Sequence, residues 1–123
     1  MSKINQIILI DDEKLVHLAF KLICLKCGYD LISIYDYENA LEYAKNYLMF
    51  DKPAAIFVDL MLGEMSGLDI IKQMRSKQYF NTIPVVLYTG HDFNDVETIR
   101  ELNITGVLKK PCSKDEILKY IKI

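Results

Sequence analysis

The chain has 123 residues, of which 51% are hydrophobic and 26% are charged, and its formal net charge is -2. This length is typical of one domain, and the composition excludes a disordered or fibrous protein. The basic residues are scattered along the chain, which argues against direct nucleic-acid binding, and no apolar run is long enough for a signal-peptide core or a membrane span. The three cysteines are typical of a reducing compartment, so we expect a cytoplasmic location.

Five short apolar runs alternate with segments of helical spacing along the whole chain. The runs cover residues 6–10, 31–35, 54–58, 84–88 and 106–109. The middle runs are nearly continuous in apolar residues, which is typical of strands covered on both faces and therefore of a parallel sheet.

The helical segments carry apolar residues three and four positions apart, together with recognisable capping residues. Asp36 is expected to cap the second helix, the spacing of Ser113 and Glu116 predicts a capping box for the fifth, and Gly28 is expected to end the first. The predicted core positions are Leu15, Leu18, Ala19, Leu22 and Ile23 in the first helix, Ala40, Leu41, Ala44 and Leu48 in the second, Leu68, Ile71 and Met74 in the third, Val96, Ile99 and Leu102 in the fourth, and Ile117, Leu118 and Ile121 in the fifth.

This (βα)₅ alternation predicts an α/β protein with a doubly wound, flavodoxin-like sheet of five parallel strands in the order 2-1-3-4-5. Residues 1–123 are expected to form a single domain, because no linker or repeat interrupts the pattern. Such sheets bind ligands beyond the carboxyl ends of their strands, so the functional residues are expected there.

Polar residues whose side chains could bind a ligand or react follow four of the five runs. Asp11 and Asp12 follow the first run, Asp59 the third, Thr89 the fourth and Lys110 the fifth. Like-charged carboxylates about 4 Å apart repel by about 4 kcal/mol at an effective dielectric near 20, so such a cluster needs a cation. Oxygen ligands favour Mg²⁺. A metal and a lysine would polarise a phosphoryl group, which makes Asp59 a plausible nucleophile forming an acyl phosphate.

The order and spacing of these motifs resemble the receiver domains of response regulators (CheY-like) in two-component signalling, over residues 7–121. The matching motifs are Asp11-Asp12, Asp59-Leu60-Met61-Leu62, Gly67 eight residues beyond Asp59, Thr89-Gly90 and Lys110-Pro111.

The resemblance implies a role for each residue of the site. Asp59 is expected to accept a phosphoryl group from a sensor histidine kinase or a histidine phosphotransfer protein. Asp11, Asp12, Asp59 and the backbone carbonyl of Met61 are expected to hold Mg²⁺, for which Mn²⁺ could substitute. Thr89 and Lys110 are expected to contact phosphoryl oxygens, with a cis peptide bond between Lys110 and Pro111.

The family also implies what the domain does as a whole. It is expected to be a switch that assists its own phosphorylation and dephosphorylation rather than an enzyme with turnover. A downstream protein is expected to bind the face formed by the fourth helix, the fifth strand and the fifth helix. We expect a monomer or a weak, phosphorylation-dependent dimer, without direct nucleic-acid or membrane binding.

Two positions depart from the family pattern. Gly63 stands where the family usually has proline, so a more mobile loop is expected after the third strand. Val107 replaces the Tyr or Phe whose rotation usually reports phosphorylation, so the readout is expected to rest on Thr89 and the following loop, or on a neighbouring aromatic such as Tyr88.

Three other functions compete with the switch. A phosphorylation-independent interaction module would keep the fold without the chemistry, and Val107 mildly favours it. An aspartate-nucleophile phosphatase of the haloacid-dehalogenase type places a second Asp two residues after the nucleophile, where this chain has Met61. A flavin or dinucleotide carrier would need a Gly-rich or Ser/Thr-rich phosphate loop after the first strand, where this chain is acidic.

Overall fold

Five parallel strands form the central sheet in the computed structural model, which describes residues 5–121. They are β1 (Asn5–Ile10), β2 (Tyr29–Ile34), β3 (Ala55–Val58), β6 (Val85–Thr89) and β7 (Gly106–Lys109), arranged in the order β2-β1-β3-β6-β7. The short strands β4 (Met61–Leu62) and β5 (Met65–Ser66) form a separate antiparallel hairpin after β3. Without that hairpin the order is 2-1-3-4-5, as the sequence predicts.

Five helices lie along the sheet within residues 5–121, of which four connect its strands and the fifth follows β7. They are α1 (Lys14–Cys27), α2 (Tyr37–Lys45), α3 (Gly67–Arg75), α4 (Val96–Glu101) and α5 (Lys114–Leu118), with short 3₁₀ turns at Tyr47–Met49 and Gln78–Phe80. None of the helices that the structure describes is long and apolar enough to cross a membrane.

The predicted helix ends are confirmed. The Asp36 side chain accepts a hydrogen bond from the backbone N–H of Asn39 at 2.8 Å, which caps α2. Ser113 and Glu116 form the reciprocal capping box at the start of α5. Gly28 ends α1 with φ at 79°, a left-handed conformation that glycine adopts without strain.

The sheet separates two apolar cores because successive strand residues point to opposite faces. In β1, Ile8 and Ile10 pack with α2 and α3 on one face, while Ile7 and Leu9 pack with α1 and α5 on the other. All four side chains are fully buried. The two-sided burial explains why the strand sequences are apolar without alternation.

The predicted core face of α1 is wrong except at Ile23, which is half-buried and packs against the core. Leu15 is 80% exposed, and Leu18 and Leu22 are each 56% exposed, whereas His17 and Phe20 are buried. The aromatic ring of Phe20 lies 5.0 Å from that of Phe57 and 5.2 Å from that of Tyr88, so the larger side chain takes the core position.

The apolar faces of two other helices are also only partly as predicted. Leu48 lies beyond the end of α2 and is exposed, and Val96 at the start of α4 is exposed as well. Leu48 follows the end of α2 and Val96 is the first residue of α4, so both lie at helix ends rather than on the face that packs against the sheet.

Candidate functional site

The carboxyl edge of the sheet brings the predicted site residues to one place. Asp11, Asp59 and Lys110 directly follow β1, β3 and β7, and Thr89 is the last residue of β6. Because all four strands are parallel neighbours, their ends meet at the same edge. Asp11, Asp59 and Thr89 are buried.

Lys110 is the centre of an ion-pair network in this pocket. Its Nζ lies 2.6 Å from Asp11 Oδ2, 3.0 Å from Asp59 Oδ2 and 3.1 Å from Glu13 Oε1. The lysine side chain is only 13% exposed, and those of Asp11 and Asp59 are more deeply buried still. Solvent therefore screens the Lys110 pairs with Asp11 and Asp59 only weakly, whereas the Glu13 side chain is 62% exposed.

Burial and ion pairing shift the pKa values of this network in opposite directions. Burial lowers the pKa of Lys110, but hydrogen bonds to Asp11 and Asp59 and the charges of both carboxylates outweigh it, so the pKa is raised overall. For Asp11, burial raises the pKa, and the hydrogen bonds from Lys110 and Glu13 offset this only in part. The lysine is thus held charged, and the Asp11 carboxyl is a weaker acid than an exposed aspartate.

Asp11 is fixed on three sides by hydrogen bonds. Its backbone N–H donates to the Ile34 carbonyl at 3.0 Å, and its Oδ1 accepts from the backbone N–H of Glu13 at 2.8 Å. Its backbone carbonyl lies 2.7 Å from His17 Nε2. Its Oδ2 is paired with the Lys110 ammonium at 2.6 Å.

The structure groups the acidic residues differently from the sequence prediction. Asp12 is exposed, and its Oδ2 accepts a hydrogen bond from the backbone N–H of Gly63 at 3.1 Å. Glu13 instead joins Asp11 and Asp59, and one carboxylate oxygen of each lies within 4.8 Å of the others. Glu13 was not predicted as a site residue, although its position beside the Asp11-Asp12 doublet was a signal for the site.

Asp59 is positioned by β3 and by the close approach of α3. Its backbone N–H donates to the Ile10 carbonyl at 2.9 Å, which ties it to β1. A Cβ atom on Gly67 would lie 1.9 Å from the Asp59 carbonyl oxygen, so only glycine fits at the first residue of α3. The spacing of Asp59 and Gly67 therefore reflects direct backbone contact.

The loop after Asp59 is a two-stranded hairpin with a glycine at its turn. Met61 pairs with Ser66 and Leu62 with Met65, which leaves Gly63 and Glu64 at the turn. Gly63 has φ at 63°, a value that proline cannot adopt. Proline, the usual residue of the family, could not adopt this backbone conformation. Glycine can, and its backbone N–H donates to Asp12 Oδ2.

Thr89 and Lys110 meet on the opposite side of the pocket. The Thr89 hydroxyl oxygen accepts a hydrogen bond from the His91 backbone N–H at 3.2 Å, and the Thr89 carbonyl accepts one from the Lys110 N–H at 2.8 Å. The peptide bond between Lys110 and Pro111 is cis, as predicted. Val107 packs half-buried against the core on the α2 and α3 face, whereas Lys110 Nζ lies 5.6 Å from the centre of the Tyr88 ring.

The donor set of the pocket fits a hard divalent cation. Asp11 Oδ2 is a buried carboxylate oxygen paired with the Lys110 ammonium at 2.6 Å, and its remaining lone pairs can take a further positive partner. Carboxylate oxygens of Asp11, Asp59 and Glu13 converge near it. An oxygen-only set with an open side suits Mg²⁺, which usually takes one or two protein carboxylates and keeps several waters.

A buried aspartate paired with a lysine in an acidic pocket, at the carboxyl edge of a doubly wound sheet, defines the class of phosphoryl-accepting receiver modules. The family model described as the response regulator receiver domain matches residues 7–122. The chain belongs to this family, whose members are signalling switches of two-component systems rather than ordinary enzymes. Receiver domains interact with histidine kinases or phosphotransfer proteins and with downstream targets.

Three known proteins illustrate the similarity. The alkaline phosphatase synthesis transcriptional regulatory protein PhoP of Bacillus subtilis is 29% identical over 120 residues, covering 96% of this chain and 47% of PhoP. The chain thus spans about half the length of that relative. A Burkholderia pseudomallei response regulator, solved with a phosphorylated aspartic acid and a calcium ion, superposes with a TM-score of 0.81 at 22% identity, covering 96% of this chain and 66% of the other.

The third is the receiver domain of a Pseudomonas aeruginosa sensor histidine kinase, solved with a magnesium ion in its active-site cleft. It has a TM-score of 0.79 at 18% identity, and the match covers 97% of this chain and 95% of that one. At these identities the two solved structures establish the shared fold.

Proposed function

We propose that this chain is a phosphorylatable signalling switch that accepts a phosphoryl group on Asp59 in a Mg²⁺-dependent reaction and then changes its binding to a partner. The observation that carries the proposal is the Lys110 Nζ contact with the buried Asp59 carboxylate, inside a pocket where carboxylate oxygens of Asp11, Glu13 and Asp59 converge. Residues 1–123 are proposed to act as one receiver unit, located in the cytoplasm.

In the proposed reaction an Asp59 carboxylate oxygen attacks phosphorus in line with the bond to the donor. The donor is a phosphohistidine of a kinase or phosphotransfer protein, and as the new O–P bond forms, the P–N bond breaks and its electron pair stays on the donor imidazole. Lys110, held charged by its neighbours, is placed to stabilise negative charge on one phosphoryl oxygen, and the Thr89 hydroxyl to donate to another.

Asp11, Asp12, Asp59 and the Met61 backbone carbonyl are proposed to hold Mg²⁺, which would neutralise charge on the phosphoryl oxygens when bound. Mn²⁺ is expected to replace it. Glu13 is close enough to Asp11 and Asp59 to contribute through water. The magnesium ion in the Pseudomonas aeruginosa receiver domain supports this assignment, and the phosphorylated aspartic acid of the Burkholderia pseudomallei protein supports the chemistry.

The surface of α1 is suited to receive the phosphodonor protein. The helix begins directly after the acidic turn, and Leu15, Leu18, Leu22 and Leu25 form an exposed stripe along it. A donor that brings its phosphohistidine to Asp59 would cover such a stripe, and burial of the leucines would stabilise the complex. The downstream partner is proposed to bind α4, β7 and α5, and the protein to be a monomer or a weak phosphorylation-dependent dimer.

The direct test is incubation with acetyl phosphate or phosphoramidate, with Mg²⁺ or with EDTA, followed by intact-mass measurement of the wild type and of Asp59→Asn. We expect a metal-dependent, base-labile gain of one phosphoryl group that is lost in the variant. Wild-type protein that stays unmodified in Mg²⁺ would contradict the proposal.

The docking surface has a separate test. Leu18→Ser together with Leu22→Ser should slow phosphoryl transfer from a phosphorylated histidine phosphotransfer protein and leave labelling by acetyl phosphate unchanged. Equal loss with both donors would show that the substitutions damage the pocket rather than docking.

A second function is favoured by one observation. Val107 occupies the position of the usual aromatic and packs into the core, so the usual rotating side chain is missing. A protein that binds Mg²⁺ but takes up no phosphate would be a phosphorylation-independent interaction module. An aspartate-nucleophile phosphatase is less well supported, because Met61 stands where its general acid and base would be.

A further inference from the structure

His17 lies on the buried side of α1, and the proposed reaction assigns it no role. Its side chain is polar, yet the residue is only 4% exposed. Both ring nitrogens have partners: Nε2 lies 2.7 Å from the Asp11 backbone carbonyl oxygen and Nδ1 lies 2.8 Å from Ser33 Oγ. The ring also packs against Tyr35, with the two ring centres 4.3 Å apart.

The partners determine which nitrogen of a neutral imidazole carries the hydrogen. A carbonyl oxygen can only accept, so Nε2 must be the donor to Asp11. Nδ1 then accepts from the Ser33 hydroxyl, which can donate. Ser33 on β2 thus selects the tautomer that lets His17 on α1 hold the end of β1.

This hydrogen bond fixes the peptide group that leads into the acidic turn. The N–H of Asp11 is bound to Ile34 on one side, and its carbonyl, which belongs to the peptide bond with Asp12, is bound to His17 on the other. The side chain of Glu13, at the N-cap of α1, makes no capping hydrogen bond to any residue that the structure describes. The imidazole therefore fixes the backbone of the turn at Asp11, beside the hydrogen bonds that Asp11 Oδ1 and Asp12 Oδ2 accept from Glu13 and Gly63.

We infer that His17 is a positioning residue for the metal site: by holding the Asp11 carbonyl it sets the directions in which Asp11, Asp12 and Glu13 present their carboxylates. It touches no reacting atom. The inference rests on the proposed function, because a cation is what the acidic turn is proposed to bind. Partners that orient metal ligands without touching the metal are typically worth about 10- to 100-fold in affinity.

Two replacements separate positioning from packing. The amide nitrogen of glutamine reaches the place of Nε2, whereas that of asparagine reaches the place of Nδ1. His17→Gln therefore keeps the donor to Asp11, and His17→Asn keeps only the contact with Ser33. Both remove the ring from its contact with Tyr35, so both are expected to lower the urea midpoint.

The measurement is the Mg²⁺ dissociation constant of the full chain by isothermal titration calorimetry, with acetyl phosphate labelling in parallel. We expect His17→Gln to bind Mg²⁺ within about twofold of the wild type and His17→Asn about tenfold more weakly. In the wild type, imidazole nitrogen NMR should show the hydrogen on Nε2. Equal Mg²⁺ affinities for the two variants, or a hydrogen on Nδ1 with none on Nε2, would overturn the positioning role.

Mg²⁺ affinity and acetyl phosphate labelling distinguish the positioning role of His17 from the phosphorylation of Asp59. A weakened His17→Asn site in a protein that takes up no phosphate would support positioning and refute the switch. Normal phosphorylation with equal affinities in both variants would support the switch and refute positioning. A wild type that binds no Mg²⁺ would overturn the positioning role, and phosphorylation that persists in EDTA would then decide whether Asp59 is still an acceptor.

Discussion

Replacing Lys110 with methionine is expected to destabilise the protein strongly, because it removes the cation that contacts Asp11, Asp59 and Glu13 together. The methionine side chain has a similar length, so the cavity created is small. Two deeply buried carboxylates would remain without their partner, and breaking a buried ion pair from one side typically costs about 3–5 kcal/mol. The repulsion between them, with oxygens within 4.8 Å of each other, is about 3.5 kcal/mol at an effective dielectric near 20.

A loss of this size is a large part of the total stability of a domain, which is typically about 5–15 kcal/mol. With a typical urea dependence of about 2 kcal/mol per molar, the midpoint should fall by about 2 M. Urea unfolding followed by circular dichroism, in EDTA at neutral pH, measures this directly. Mg²⁺ should restore part of the loss, because it supplies positive charge to the same oxygens.

The effect also has a defined pH dependence. Lys110 lowers the pKa of Asp11, which burial already raises above its ordinary value of 3.8. Without the lysine this pKa rises further, so the folded state binds more protons than the unfolded state between 3.8 and the raised pKa. Stability then falls as pH rises through that window, and the deficit of Lys110→Met should be largest at neutral pH and smaller in acid.

The neighbouring lysine is a matched control. Lys109 is paired with Asp92 at 2.8 Å, but the two side chains are 62% and 85% exposed. Solvent screens such a pair, so Lys109→Met should leave the urea midpoint close to that of the wild type. Equal destabilisation by the two substitutions, or a Lys110→Met deficit that grows in acid, would refute the electrostatic reasoning.

Further predictions concern the glycines and the metal. Gly67→Ala should lower stability by about 1–3 kcal/mol or more, because its Cβ would meet the Asp59 carbonyl at 1.9 Å, whereas Gly90→Ala, with open space around it, should not. Gly63→Ala should lose about 1–2 kcal/mol from its positive φ alone, since no atom lies within 4 Å of the added carbon. Urea unfolding checks these three. Mg²⁺ should raise the wild-type urea midpoint by mass action, and Asp11→Asn should lose this response.

The strands and the strand-end residues could be predicted because one cause fixes both. A parallel strand buried on both faces must be apolar throughout, so the first polar residue marks the edge of the sheet, as Asp11 and Asp59 do. Sheet order then follows from the doubly wound topology, which brings those ends together. The meeting of Asp11 and Asp59 at one edge of the sheet therefore follows from the strand pattern and the topology alone.

The grouping of the acidic residues could not be predicted, because it depends on a contact between distant parts of the chain. Asp12 accepts a hydrogen bond from the N–H of Gly63, in the hairpin after β3, where that glycine has a positive φ. Periodicity and spacing carry no information about such a pairing.

The error in α1 has a different origin, and it bears on function. Two apolar stripes run along this helix at helical spacing, one through Leu15, Leu18 and Leu22 and the other through Phe20 and Cys24, so the hydrophobic period alone could not choose between them. The stripe through Phe20 packs against the sheet, together with His17, and both ring nitrogens of His17 have hydrogen-bond partners there. The leucine stripe is thereby left exposed. Apolar side chains in a continuous row beside the acidic turn are costly to leave in water, and this cost is what a docking phosphodonor would relieve.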